Sequence, residues 1–421
     1  MTQANRLSES VGATTQPRSA PAQRSGRRLP TSIAFTVAAV TFTSVLAAAG
    51  TPAPLYVVYQ QRFHIPDAGL TAAFAIYILP VVAVLLCGGR LSDHIGRRPV
   101  AVLAPLLGLA ACLVLMNVQG LGALLLGRGL QGLATGLGTS ALAAFLLDLH
   151  PPGRLLLAAS VTSAGPSAGV AAGAVLSGAL VQYAPHPNTL VYVIFAALLG
   201  LCAVGLALAP ETSPRRPGAL RSLRPVLRVP ASVRPVFLAA ISCFLAAWAL
   251  GGFYQALAPS LAAQVLHHPD HLVGGLAVAS LIGTSALGGP LTGMLRPRIA
   301  MVGGAAVMAV GTAAVLGALQ LASTAGFFAA SVLTGLGFGA TFLGALRTLM
   351  VDTVPADRAG LLSASYLIAY LGAAIPSFLA GVASPYWGLG TVTNIYGALV
   401  ITLGLLAIGA TLLRSRSSNP A

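Results

Sequence analysis

Arg128 is the charge in this sequence whose surroundings demand a chemical explanation, because it alone falls well inside a long apolar run. Gln131, Thr135 and Thr139 follow it at spacings of 3, 4 and 4, so on a helix all four share one face. A guanidinium in hydrocarbon costs about 3 kcal/mol or more, so it must face a wet cavity or a partner. Two readings stand side by side. Arg128, Gln131 and Thr135 line a cavity and take part in coupling, or Arg128 braces neighbouring helices by donating to their backbone carbonyls. An arginine stays protonated in proteins, so Arg128 cannot itself be a proton carrier.

The other groups able to do chemistry lie elsewhere. The eight acids (Glu9, Asp67, Asp93, Asp148, Glu211, Asp270, Asp352 and Asp357) all fall in loops, tails or the ends of apolar runs, as do the histidines. Cys87, Cys112, Cys202 and Cys243 sit in apolar runs without paired spacing, so neither a disulfide framework nor a metal site is indicated. No phosphate loop is present and no polar catalytic cluster stands out, so no cofactor, metal or catalytic residue is assigned and the chain is not expected to be an enzyme. Trp248, Gly252 and Gln255 share one helical face, and Ser363, Tyr366 and Tyr370 another. Trp248, Gln255, Tyr366 and Tyr370 are candidates for a substrate cavity, against ordinary interhelical packing.

The elements that must position these residues are membrane spans. The chain is 56% hydrophobic and only 7% charged, and its 421 residues cannot coat a water-facing surface with so little charge. Runs of about 20 apolar residues, enough to cross a bilayer, occur near Thr31–Thr51, Ala68–Gly88, Val100–Val118, Leu121–Leu147, Leu156–Val181 and Leu190–Ala209. Six more occur near Val236–Pro259, Leu272–Leu295, Ile299–Leu321, Ala325–Val351, Gly360–Ser384 and Gly390–Leu412. The expected division is a disordered cytoplasmic tail over 1–30, a six-helix bundle over 31–209, a cytoplasmic linker over 210–235, a second bundle over 236–413 and a tail over 414–421. Ala47-Ala48-Ala49 imitates a signal-peptide cleavage site, but with eleven spans behind it the first run is expected to be a retained helix.

The basic residues behind the net charge of +15 are all arginines and, apart from Arg128, sit mostly in short clusters outside or near the ends of the apolar runs, which argues against nucleic acid as a partner. Arg6, Arg18, Arg24, Arg27 and Arg28 precede the first span, Arg90, Arg97 and Arg98 follow the second, and Arg154 follows the fourth. Arg215, Arg216, Arg221, Arg224, Arg228 and Arg234 fill the central linker, whereas the alternate loops hold only Arg62. Arginine-rich short loops stay cytoplasmic, so both termini are expected inside a bacterial inner membrane.

The two sets of six repeat one another. Asp148-Leu-His-Pro151-Pro-Gly-Arg154 matches Asp352-Thr-Val-Pro355-Ala-Asp-Arg358, Gly89-Arg-Leu91 matches Gly289-Pro-Leu291, and Pro66-Asp67 matches Pro269-Asp270. Parallel repeats of this kind place a substrate site near the midplane between halves.

The segment Gly89-Arg-Leu91-Ser-Asp93-His-Ile-Gly96-Arg97-Arg98 resembles the loop signature of the major facilitator superfamily, and Arg128-Gly-Leu-Gln131-Gly132 resembles that family's span-four motif. Gly165-Pro166-Ser-Ala-Gly169-Val170-Ala-Ala-Gly173 resembles the antiporter motif of its drug and metabolite exporters, with Val170 in place of the second glycine. The resemblance implies an all-α membrane protein of about twelve transmembrane helices in two six-helix repeats. It implies a gating loop of Gly89, Asp93, Gly96, Arg97 and Arg98 with Asp148 as acidic partner, and helix packing through Gly165, Pro166, Gly169 and Gly173. The expected function is secondary active export of a small amphiphilic compound by alternating access, coupled to protons, by a monomer in a lipid bilayer. Uptake or facilitated movement of a metabolite is the alternative, and a non-transporting membrane sensor a more distant one.

Overall fold

In a computed structural model, residues 28–417 are described apart from Arg90, Val226, Ser232 and Asp352. The expected tail therefore lies almost wholly outside the described residues, as does the Asp352 of the second repeat. Twelve long apolar helices make up the fold: α1 (Thr31–Phe63), α2 (Asp67–Gly88), α3 (Arg97–Leu115), α4 (Leu121–Asp148), α5 (Leu155–Tyr183) and α6 (Pro187–Ala207), then α7 (Arg234–Gln264), α8 (His271–Leu291), α9 (Pro297–Gln320), α10 (Thr324–Val351), α11 (Asp357–Trp387) and α12 (Leu389–Leu413). Among the described residues no strand is present.

The helices keep most of their backbone bonds internal, as lipid-facing segments must. Large side chains such as Leu201, Val310 and Leu126 point outward at 73%, 65% and 58% exposure. A surface this apolar belongs in hydrocarbon. Helices α1 to α6 pack around Phe42, Phe145, Tyr192 and Leu199. Helices α7 to α12 enclose a core that includes Phe244, Met301 and Leu349 toward the linker. The halves meet chiefly through α5 against α8 and α2 against α11. The linker, the start of α1 and the end of α12 lie at one end of the bundle, here called the linker end: Leu29 N donates to Leu208 O over 3.0 Å, joining the first helix to the end of α6.

Helix boundaries differ from the apolar runs in two informative places. The first apolar run stops at Thr51, but α1 continues to Phe63, well past it. Its second part, Pro52–Phe63, carries Tyr56, Tyr59, Gln60 and Gln61, and the apolar count fades while the helix does not. Also, α6 ends at Ala207 and α7 begins at Arg234, so the segment between the halves starts and stops about two residues earlier than the expected linker, and it contains one short helix, Ala219–Ser222. Helices α2 and α4 each loosen into a π-helical turn, at Val84–Gly88 and Gly138–Leu142. The first of these follows Pro80, whose ring and missing N–H disturb the preceding helix.

Candidate functional site

A cavity of about 340 Å³ lies between the two halves. Its wall comes from α1, α2, α4 and α5 on one side and α7, α8, α10 and α11 on the other. All four aromatic and polar candidates, Trp248, Gln255, Tyr366 and Tyr370, line it, as does Gly252, while Ser363 does not. Trp248 packs edge-on against Tyr370 at 4.3 Å and Phe342 at 5.6 Å, fixing its ring in the wall. Phe42, Phe74, Tyr77, Phe338 and Phe342 complete an aromatic lining, with Thr162, Ser163, Ser167 and Ser285 as its hydroxyls. Those residues escaped the sequence reading. Phe338 and Phe342, four apart on one helix, carried a usable signal; the isolated serines and threonines did not. No lining residue is an acid, an arginine or a histidine.

The cavity is closed at the end away from the linker by polar contacts between halves. Ser384 Oγ of α11 donates to Asp67 Oδ2 at 2.6 Å, and Gln60 Nε2 of α1 donates to the other carboxylate oxygen. Ser260 Oγ of α7 reaches Gln60 Oε1 at 3.3 Å, and Gln182 of α5 pairs with Asp270 and the His271 amide at 3.2 and 3.0 Å. Toward the linker end the lining opens instead: Ser163 on α5 and Pro290 on α8 are exposed.

Arg128 sits one layer behind this wall. It is 2% exposed and its guanidinium lies 4.2 Å from the centroid of the Tyr77 ring, which itself faces the cavity. Nη1 donates to Ala49 O at 2.9 Å and to Gln131 Oε1 at 2.7 Å, while Gln131 Nε2 donates to Ala48 O at 2.7 Å. The Gln131 donor meets a gap in the α1 ladder, at an acceptor that also takes the Thr51 hydroxyl at 2.8 Å. Pro52 and Pro54 lack the N–H groups that would bond the carbonyls four residues earlier, at Ala48 and Gly50. Gln131 supplies a donor to Ala48 O, Arg128 supplies one to its neighbour Ala49 O, and Ser177 Oγ of α5 donates to Thr51 O at 2.7 Å. Of the expected trio, Thr135 lines the cavity; Arg128 and Gln131 are bonded to α1 and do not.

The loop after α2 is tied within its own half. Gly96 has φ 104°, a left-handed conformation suited to glycine, and this turns the short helix Ser92–Ile95 into α3. Arg97 Nη1 lies 2.8 Å from Asp93 Oδ1, and its Nε lies 2.7 Å from Asp148 Oδ2 at the end of α4. Thr212 Oγ1 also donates to Asp148, at 2.9 Å. The carboxylate of Glu211 caps α3 by accepting from the Arg97 and Arg98 amides at 2.8 and 3.2 Å, where the helix dipole favours an anion. Arg98 Nη1 donates to Ala209 O at 3.3 Å, and Gly89 closes the end of α2. Glu211 had no sequence signal, since its partner amide lies 114 residues earlier.

The glycine stripe of α5 meets α1. A Cβ at Gly169 would stand 2.9 Å from Leu46 Cβ, and one at Gly165 would stand 3.0 Å from the Phe42 ring. At Gly173 it would run into the Ala47 carbonyl. Small residues let two helix backbones touch where any side chain would separate them. Pro166 and Val170 turn the other way, into the cavity wall.

Comparison with known proteins fits this architecture. The chain is 33% identical over 76 residues to the multidrug resistance protein MdtL of Klebsiella pneumoniae, covering 18% of this chain and 19% of that one. It is 30% identical over 161 residues to the tetracenomycin C resistance and export protein of Streptomyces glaucescens, covering 38% of this chain and 29% of that one. These alignments span less than a third of either relative. In fold it resembles a bacterial homologue of the human lysosomal transporter Spinster, inward-facing and unoccupied, with a TM-score of 0.71 at 14% identity over 90% of this chain and 97% of that one. It likewise resembles the nucleoside transporter NupG, with a TM-score of 0.68 at 12% identity over 90% and 99% of the two chains. The family model for the Major Facilitator Superfamily matches residues 31–377, and the chain belongs to that superfamily of membrane transporters.

Proposed function

We propose that this chain exports a small, largely apolar amphiphilic compound across the bacterial inner membrane by alternating access, driven by protons. The observation that carries the reading is the cavity between halves, sealed by side-chain bonds at one end and lined by exposed groups at the other. The arginine-rich linker end is taken as cytoplasmic, which makes this an inward-facing state. An aromatic lining without formal charge suits a flat apolar solute, with hydroxyls to orient it. The names of two partial relatives, a multidrug resistance protein and an antibiotic export protein, support the outward direction.

Transport then requires the far-end bonds at Asp67 to break while the linker end closes. The Asp93–Arg97–Asp148 cluster, with Gly89, Gly96 and Arg98 shaping its loop, is the gate at the linker end. No carboxylate lines the cavity, so proton coupling has to run through acids at its ends, with Asp67 bridging the halves. The test is flux of an aromatic dye into sealed vesicles containing the purified chain, under an imposed pH gradient. Accumulation that collapses with the gradient is expected. Flux indifferent to the gradient removes proton coupling, and a strain overproducing the chain with unchanged tolerance to every aromatic toxicant tried removes export.

A further inference from the structure

We propose that Arg128 sets the charge preference of the cavity, so that aromatic anions bind best, neutral aromatic compounds next, and organic cations worst. The inference rests on the cavity being the transport site.

Its first support is the absence of any compensating charge. Arg128 is 2% exposed and bonds only neutral groups, Ala49 O and Gln131 Oε1, while its Nε has no partner. Among the described residues the ion pairs are Arg97 with Asp93, Arg97 with Asp148, and Arg228 with Asp357, all at the linker end. Asp67 stands ten residues before Tyr77 on α2, about 15 Å along the helix, and is engaged by Gln60 and Ser384. The protein's buried midsection therefore carries a net positive charge.

The second support is where that charge is felt. The Tyr77 ring, which lines the cavity, is packed against the guanidinium, and Gln255 borders both the cavity and a narrow crevice, too small for water, that Arg128 also borders. Low dielectric lets a charge act across such a layer with little screening. Aromatic walls ordinarily favour cations through their π-faces. Here the Tyr77 face is already occupied by Arg128, and Trp248 is held edge-on against Tyr370 and Phe342. The wall thus offers shape and apolar area to any flat solute, while the field behind it discriminates by charge.

The experiment uses three probes of matched shape: anthracene-9-carboxylate, 9-anthracenemethanol and 9-anthracenylmethyl-trimethylammonium. The sequence has two tryptophans, and Trp387 lies at the far end with 61% exposure. With Trp387→Phe as background, fluorescence transfer from Trp248 reports occupancy in the purified full-length chain. The carboxylate is expected to bind about tenfold or more tighter than the ammonium, with the alcohol between. Gln255→Glu, which sets a carboxylate on the crevice that Arg128 borders, should reverse that order, and Arg128→Gln should level it. Equal or better binding of the ammonium by the parent protein overturns the proposal without any variant having to fold. An unchanged order in a folded Gln255→Glu protein overturns it too. If none of the three probes binds, the cavity is not the substrate site, and the failure belongs to the functional reading beneath this one.

Discussion

The seal at the far end of the cavity can be taken apart one bond at a time. Ser384 Oγ donates to Asp67 Oδ2 at 2.6 Å, directly across the two halves, and the weaker Ser260–Gln60 contact at 3.3 Å lies beside it. A hydrogen bond to an ionised group contributes roughly 1.5–3 kcal/mol, and partial exposure of Asp67 brings this toward about 1.5 kcal/mol. Ser384→Ala should therefore raise the population open at that end about tenfold relative to the closed one. Spin labels at His64 and Tyr386, both exposed and in different halves, would read the change as growth of a longer distance component in the purified chain with its cysteines replaced. Asp67→Ala should act in the same direction. Because the two side chains act through one bond, the Asp67→Ala/Ser384→Ala double variant should open little further than either single one. An unchanged distance distribution in Ser384→Ala, or effects that simply add in the double variant, would refute the assignment of this bond as a latch.

Three further outcomes are expected. Reporter fusions after Arg28, Arg224 and Arg416 should all score cytoplasmic, and a reproducible external score at any of them would overturn the topology. Asp93→Asn should change stability by less than about 1 kcal/mol, since Asp93 is 45% exposed and Asp148 still holds Arg97; vesicle flux should slow severalfold at unaltered substrate affinity, and normal turnover would end the gating role. Gly173→Ala should cost about 1–3 kcal/mol by driving α5 off the Ala47 carbonyl. Gly317→Ala, with nothing within 4 Å of the added carbon, should be neutral or slightly stabilising, a contrast that thermal melting resolves.

Much of the protein is legible from local sequence because a bilayer imposes local rules. Span number follows from apolar length, and the small-residue stripe of α5 follows from the need for close backbones, so Gly165, Gly169 and Gly173 were recognisable before their partner helix was known. The loop signature placed Arg97 and Asp148 in one gate although they stand 51 residues apart, and the fold does bond them. The cavity was legible only in part: Trp248, Gln255, Tyr366 and Tyr370 announce themselves by size and helical spacing, whereas Ser167 and Ser285, which meet across the two halves at 3.0 Å, do not. Arg128 marks the boundary. Its burial was required by its position in an apolar run, but whether it faced the cavity or another helix depended on where the carbonyls of Ala48 and Ala49 lay. Those acceptors belong to a proline-broken turn about 80 residues away, and only packing of α4 against α1 brings donor and acceptor together. Periodicity reports which face of a helix is polar; which neighbour satisfies that face is a property of the assembled bundle.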